Sequence, residues 1–303
     1  MVRSSRHQRF DGRGRRGAVL VEFALVSLVL YLLVAAGLEF GRATFSAQVI
    51  QDAARLGARE LALTPLPAAM TLDDALARAE VRSRIYDPER LVIDLDTDVA
   101  AGQTLDEFFG ALPLVNQALR PAMIYEEVEI GGATRRLLRY PGALLGDPSA
   151  PSGLTVGIPL VTSRSASGEE TIEWLAAVEE IRNDRTDPTT GPFSMDASGP
   201  AVRHGLVALR INYPYQAASL GGYRASPAGP LEPNGTNPNV ADDGAVTETN
   251  APAAGSVIGS LTSSPGAYSG PFGLGTQLAV GQRVRPFRRL LTAQAIFRRE
   301  AFE

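Results

Sequence analysis

The sequence contains no cysteine and no lysine among its 303 residues, and only two histidines. Without cysteine the chain has no disulfide, no thiolate metal site and no Cys–His catalytic dyad. With His7 and His204 alone it also lacks the ligands for a zinc site of the usual kind. The absence of cysteine leaves the compartment open. All 29 basic residues are arginine, a composition bias that carries no functional reading. No G-x-S-x-G elbow, no P-loop and no G-x-G-x-x-G turn after a strand is present. The familiar signatures of esterases, nucleotide hydrolases and dinucleotide enzymes are therefore missing.

What remains is an apolar fraction of 45%, enough for a packed core, with 30 glycines and 21 prolines that imply much loop. The net charge of −4 is unevenly placed. Residues 1–17 (MVRSSRHQRFDGRGRRG) hold six arginines against Asp11, which leaves about −9 on the rest. An acidic body lacks the basic footprint that nucleic acid needs, so no nucleic-acid partner is expected.

The basic head precedes the longest apolar run. From Ala18 to Leu38 the only ionisable side chain is Glu22. A helix of that length spans roughly 30 Å, the thickness of a hydrocarbon core. A secretory signal has a shorter apolar core followed by a small-residue cleavage site. Here helical pattern continues past the run, so the spacing predicts a membrane anchor over 18–38. Upstream arginines put its N-terminus in the cytoplasm and the bulk of the chain outside it.

The helix is expected to continue through GRATFSAQVIQDAARLGARELAL and to stop at Thr64-Pro65-Leu66-Pro67. Phe45, Val49, Ala53 and Leu56 recur at three- and four-residue spacing and read as its buried stripe. Gly37 and Gly41 make a G-x-x-x-G spacing at the outer end of the span, where small residues let helices approach closely.

A carboxylate inside an apolar run is expensive and calls for compensation. Arg15-Arg16-Gly17 followed by Ala18-Val19-Leu20-Val21-Glu22-Phe23 resembles the processing site of type IV pilin-like proteins. More narrowly, Gly17, Val21-Glu22-Phe23-Ala24-Leu25, Gly37 and Ala53-Ala54-Arg55-Leu56-Gly57-Ala58-Arg59 resemble the TadE-like minor pilins, or pseudopilins, of tight adherence (Flp pilus) systems. The resemblance covers about residues 15–63 and is loose beyond. It implies cleavage between Gly17 and Ala18 by a prepilin peptidase, which leaves a charged amine on Ala18. In a filament of packed helices, Glu22 of one subunit would neutralise the Ala18 amine of a neighbour, an ion pair that sets axial register. Phe23 departs from the Flp major pilins, which commonly carry tyrosine there. That departure and the chain length both point to the TadE-like group. Implied partners are the peptidase, major Flp pilins, other minor pilins and the inner-membrane assembly platform.

Beyond Pro67 the sequence reads as an α+β domain. TLDDALARAEVRSRIYD is a helix with Thr71 as N-cap and Asp74 in the capping-box position. LVIDLDTD (91–98) reads as a half-exposed strand, with Asp94, Asp96 and Asp98 on one solvated face. TLDEFFGALPLVNQALR is a short helix broken at Pro113, and MIYEEVEIGGATRRLLRYPG a hairpin turning at Gly131-Gly132. LTVGIPLVTSR is a strand. ETIEWLAAVEEIR is a strand or a helix with Trp174 on its buried side. GLVALRINYPYQ (205–216) alternates most clearly, and its late Tyr-Pro also resembles TadE-like domains. RPFRRLLTAQAIFRREAFE is expected to return as a final strand, its arginines on the exposed side.

Other chemistry is thin. The aspartates at 94, 96 and 98 lack the glycine and terminal glutamate of a calcium loop. Glu126-Glu127 and Glu179-Glu180 are neighbours in strands, so they point to opposite faces and do not converge on a substrate. His204 reads as a surface residue beside a strand. Neither a catalytic residue nor a cofactor, metal or small-molecule substrate is expected.

The organisation expected is a basic leader over 1–17 and an N-terminal helix over 18–63, transmembrane over 18–38. An exported domain over 68–216 follows, with a Gly/Pro/Ser/Asn-rich, disordered-looking insertion over 217–281 and a C-terminal strand over 282–303. The fold class is α+β, with a mainly antiparallel sheet behind the long helix. The function implied is a minor pilin-like subunit, adhesive or secretory, held in the inner membrane before assembly. The alternatives are an uncleaved single-pass envelope protein with an exported binding domain, or a membrane-tethered enzyme with an unfamiliar site.

Overall fold

The computed structural model describes residues 13–130, 133–147, 150–164, 170–181, 191–195, 204–215, 283–284 and 288–300. The expected leader up to residue 12, the expected turn at Gly131-Gly132 and the whole of the expected insertion over 217–281 lie outside the described residues. The chain divides into two units, 1–43 and 44–303. One helix, α1 (Arg13–Leu63), contributes to both. It ends where the prolines begin, and the Thr64 hydroxyl turns back to donate to the Glu60 carbonyl at 2.7 Å.

In the second unit, α1 supplies one side of the core. Its buried stripe is Ile50, Ala53, Ala54, Gly57, Ala58 and Leu61, at the three- and four-residue spacing of an amphipathic helix. This is rotated from the expected stripe: Ala53 is common to both, but Phe45 is exposed, and Val49 and Leu56 are half-buried. The reason is close packing. Small residues, rather than the larger Phe45 and Leu56, face the sheet. A Cβ on Gly57 would stand 2.8 Å from Val115 Cγ2 and 3.4 Å from Leu209 Cδ1.

Short helices follow. Thr71 caps α2 (Leu72–Ala77) in a reciprocal capping box with Asp74, as expected. The predicted single helix is broken at Arg78, which is extended, and resumes as α3 (Ala79–Arg84). A second capping box, Thr104 with Glu107, opens α4 (Leu105–Gly110), and α5 (Leu114–Leu119) starts after Pro113.

The strands form two antiparallel sheets. Strands β1 (Val92–Asp94), β2 (Ile124–Ile130) and β3 (Ala133–Arg139) pair in the order β1-β3-β2. The predicted hairpin is β2–β3, with Ile130 opposite Ala133. The larger sheet runs β4 (Ala143–Gly146), β5 (Leu154–Arg164), β9 (Arg283–Val284), β10 (Arg288–Arg298), β8 (Leu206–Tyr215), β7 (Val178–Glu180). Strand β6 (Glu170–Leu175) pairs with β5. The ETIEWLAAVEEIR segment is thus strand, split into β6 and β7. The Trp174 side chain lies outside the described residues.

The C-terminal strand returns as expected. β10 pairs with β8 from Arg289↔Tyr215 to Arg298↔Leu206. Small residues on β10 meet large ones on β8, Ala293 opposite Ile211 and Ala295 opposite Leu209. Leu209, Ile211, Ala293 and Ala295 belong to the same core cluster as the α1 stripe. Gln51 Nε2 donates to the Gln294 carbonyl at 2.9 Å and so holds helix to strand. The alternation read on β8 does not make it half-exposed, because Arg210 and Asn212 on its second face are as buried as Leu209 and Ile211.

Two further expectations are corrected. Arg299 is not on an exposed face: it is buried, stacks over the Phe193 ring and donates to the carbonyls of Leu66, Pro67 and Phe193. It caps backbone that the proline-rich exit from α1 leaves without partners. His204 is half-buried instead of a surface residue, and both ring nitrogens are closed to solvent without a hydrogen bond. The Leu206 N–H bonds the Pro192 carbonyl at 2.9 Å, which draws the start of β8 against residues 191–195.

Candidate functional site

The first unit holds the residues that the sequence singles out. Every valine, leucine, phenylalanine and tyrosine from Val19 to Phe40 is exposed. A helix apolar on all sides suits a core element or a membrane span, and within the first unit these side chains are not packed in a core. Among the described residues one helix is long and apolar enough to cross a membrane, Val19–Leu63, near the N-terminus. Its apolar part ends at Glu39, which pairs with Arg42 one turn on, at 3.5 Å.

Glu22 is exposed and set among Val19, Leu20, Val21, Phe23 and Leu25, all exposed as well. Among the described side chains none forms an ion pair or hydrogen bond with it. Inside a membrane a carboxylate at such a position would be costly unless a cation or water reached it. Phe23, next to it, is also exposed. Gly17 and Ala18 lie inside α1, which begins four residues before Gly17. Ala18 and Glu22 therefore stand one helical turn apart. A glycine within a helix weakens it by about 0.5–1 kcal/mol relative to alanine, so Gly17 is a soft point near its start. Gly37 and Gly41 are also one turn apart, and an added Cβ at either meets nothing within 4 Å. Neither glycine is used for packing inside its own unit.

In the second unit the described charged groups satisfy one another instead of converging on a site. Asp94, Asp96 and Asp98 do not share a solvated strand face, because β1 stops at Asp94 and the chain turns. Asp98 N–H bonds the Asp94 carbonyl at 2.8 Å, and Asp96 N–H bonds Asp94 Oδ1 at 2.9 Å. Arg135 reaches the Asp94 carboxylate at 2.5 Å and the Ser152 carbonyl at 2.7 Å. Arg136 holds Asp96, and its charge and hydrogen bonds keep that carboxyl below the usual range. Asp98 accepts from the Asp94 N–H at 2.9 Å and lies 3.9 Å from Arg90. Arginines occupy the place that a cation would take.

The glutamate pairs behave as strand neighbours. Glu126 accepts from buried Arg139 at 2.7 Å, whereas Glu127 accepts from the Tyr125 hydroxyl at 2.9 Å. Glu179 accepts from Arg210 and Asn212, whereas Glu180 accepts from the Phe193 N–H at 2.9 Å. Burial pushes the phenols of Tyr86 and Tyr140 up, and Tyr140 donates to the Asn212 carbonyl at 2.8 Å. Among the described residues no group of three or more His, Asp or Glu is arranged to hold a metal. Sequence reasoning missed the arginines 135, 136 and 139 as partners of these acids. Their signal was present, a TRRLLR arm facing a YEEVE arm in one hairpin.

Residues 17–59 match the model of a family described as TadE-like protein. The match begins at Gly17 and lies wholly within α1. It takes in Glu22, Phe23, Gly37, Gly41 and the Ala53–Arg59 run. No curated protein and no solved structure matches the chain. The N-terminal helix is thus TadE-like in sequence, and the match does not extend beyond residue 59.

Proposed function

We propose that this chain is a pilin-like, TadE-type minor subunit of a tight adherence (Flp-type) pilus. The observation that carries the reading is an exposed, all-apolar helix containing one exposed carboxylate, Glu22, within a segment that matches the TadE-like model. A prepilin peptidase removes residues 1–17 by cutting between Gly17 and Ala18. The helix over 18–38 anchors the subunit in the inner membrane, N-terminus toward the cytoplasm. The domain behind it lies outside the cytoplasm, where it meets other pilus components. On assembly the Ala18 amine of a neighbour answers Glu22, Phe23 packs beside that pair, and the faces of Gly37 and Gly41 receive an adjoining helix. The chain supplies contacts and register, not catalysis.

The test is incorporation. A tagged wild-type chain is expected in pili sheared from the cells, and Glu22→Gln is expected to stay in the membrane fraction at unchanged abundance. Equal amounts of both in the sheared fraction would remove Glu22 from the account.

A second reading, an uncleaved envelope protein, draws on one observation. α1 starts at Arg13, so the Gly17–Ala18 bond sits inside a helical turn and must unwind before a protease takes it.

A further inference from the structure

Among the described residues of the second unit one long regular strand edge is open. β2 is seven residues and pairs with β3 through seven consecutive partners without a bulge. On its other side it has no neighbour among the described residues. An edge of this kind is a template for a further strand, and proteins usually blunt it with proline, bulges or shortness. β2 has none of these devices. The other ends of sheets do: β7 and β4 have three and four residues, and β6 pairs across a register shift between Val161 and Ser163.

What guards β2 is charge. Its sequence is IYEEVEI. Glu126 is neutralised by Arg139, at 2.6 Å. Glu127 is exposed and accepts from the Tyr125 hydroxyl; Arg136, opposite it, feels its charge but gives its hydrogen bonds to Asp96. Tyr125 is 56% exposed and adds an aromatic platform beside Glu127.

Carboxylates repel only their like. A second copy of β2 is the wrong occupant, since every antiparallel register overlapping six or more of the seven residues sets a glutamate opposite a glutamate. A strand with arginine or lysine on alternate residues is the right one. We propose that β2 is a docking edge for a basic, extended segment of a partner protein, which joins the small sheet as a fourth strand. Backbone hydrogen bonds would give the affinity, and the acidic sequence of β2, with exposed Glu127, the preference for basic side chains. The proposal does not depend on cleavage at Gly17 or on the pilus assignment.

The probe is a blocked nine-residue peptide of alternating arginine and valine, added to the full chain in detergent. The readout is affinity together with amide hydrogen exchange. Binding with new protection over Ile124–Ile130 is expected, and Glu127→Gln/Glu129→Gln should weaken it by about tenfold. A peptide with the same charges but N-methylated on alternate residues should lose both binding and protection. Three results would overturn the proposal: equal binding of the N-methylated peptide, protection located elsewhere, or β2 protected by self-association of the chain without peptide.

Discussion

Arg135 of β3 reaches across to Asp94 at the end of β1, with donor and acceptor 2.5 Å apart and the aspartate side chain only 1% exposed. Its neighbour Arg136 points to the other face and holds Asp96, a pair open to water. One dipeptide thus makes a buried ion pair and an exposed one. Arg135→Ala leaves a buried carboxylate without its cation and is expected to destabilise the domain by about 3–5 kcal/mol. Arg136→Ala should produce no resolvable change. Denaturant unfolding of the full chain in detergent, followed by Trp174 fluorescence, separates them. Similar losses for the two variants would contradict the contrast.

Gly57 of α1 lies close against the core, with Val115 and Leu209 standing over it. Leucine there favours the helix but has no room. Gly57→Leu is expected to lower stability by about 1–3 kcal/mol through overpacking. The same substitution at Gly41, where nothing lies within 4 Å, should leave unfolding unchanged. If Gly41 packs a neighbouring helix, Gly41→Leu should still reduce the subunit's presence in sheared pili. Full incorporation would show that the glycine face is not used.

The capping box at α4 makes stability depend on pH. Hydrogen bonds from the Thr104 backbone and hydroxyl hold the Glu107 carboxyl below its usual range. A group depressed on folding stabilises above its unfolded pKa, and that contribution fades as pH falls through the folded value. The domain should therefore weaken below about pH 4.5. Glu107→Gln keeps a capping side chain but does not titrate. It should behave as wild type at pH 7 and lose less between pH 4.5 and 3, as measured by unfolding across that range. An unchanged acid limb would remove Glu107 as a contributor.

Much of this architecture was legible in the sequence, for identifiable reasons. Prolines 65 and 113 end or divide helices by removing donors, and both breaks are where the sequence puts them. Thr71 with Asp74 announced a cap, and Gly131-Gly132 announced a hairpin. The errors share a different cause. Alternation at Asp94, Asp96 and Asp98 read as an exposed strand because nothing in a single segment reveals an arginine arriving from 40 residues away. The stripe on α1 was misplaced because large apolar residues were given priority over Ala54, Gly57 and Ala58, which close packing selects. Arg299 looked like surface because carbonyls in need of donors, at Leu66 and Phe193, are not visible from its own segment. Glu22 was conspicuous from the start, since no local rule accounts for a carboxylate in that run.

The central claim is tested most directly by the N-terminal residue of the protein isolated from its native membranes, with and without the host's prepilin peptidase. The account predicts Ala18 as the first residue when the peptidase is present and the arginine leader retained when it is absent. Retention of the leader in both samples would contradict it. Glu22 would then have no Ala18 amine to meet, and the chain would be an uncleaved envelope protein whose function lies in the domain behind the helix.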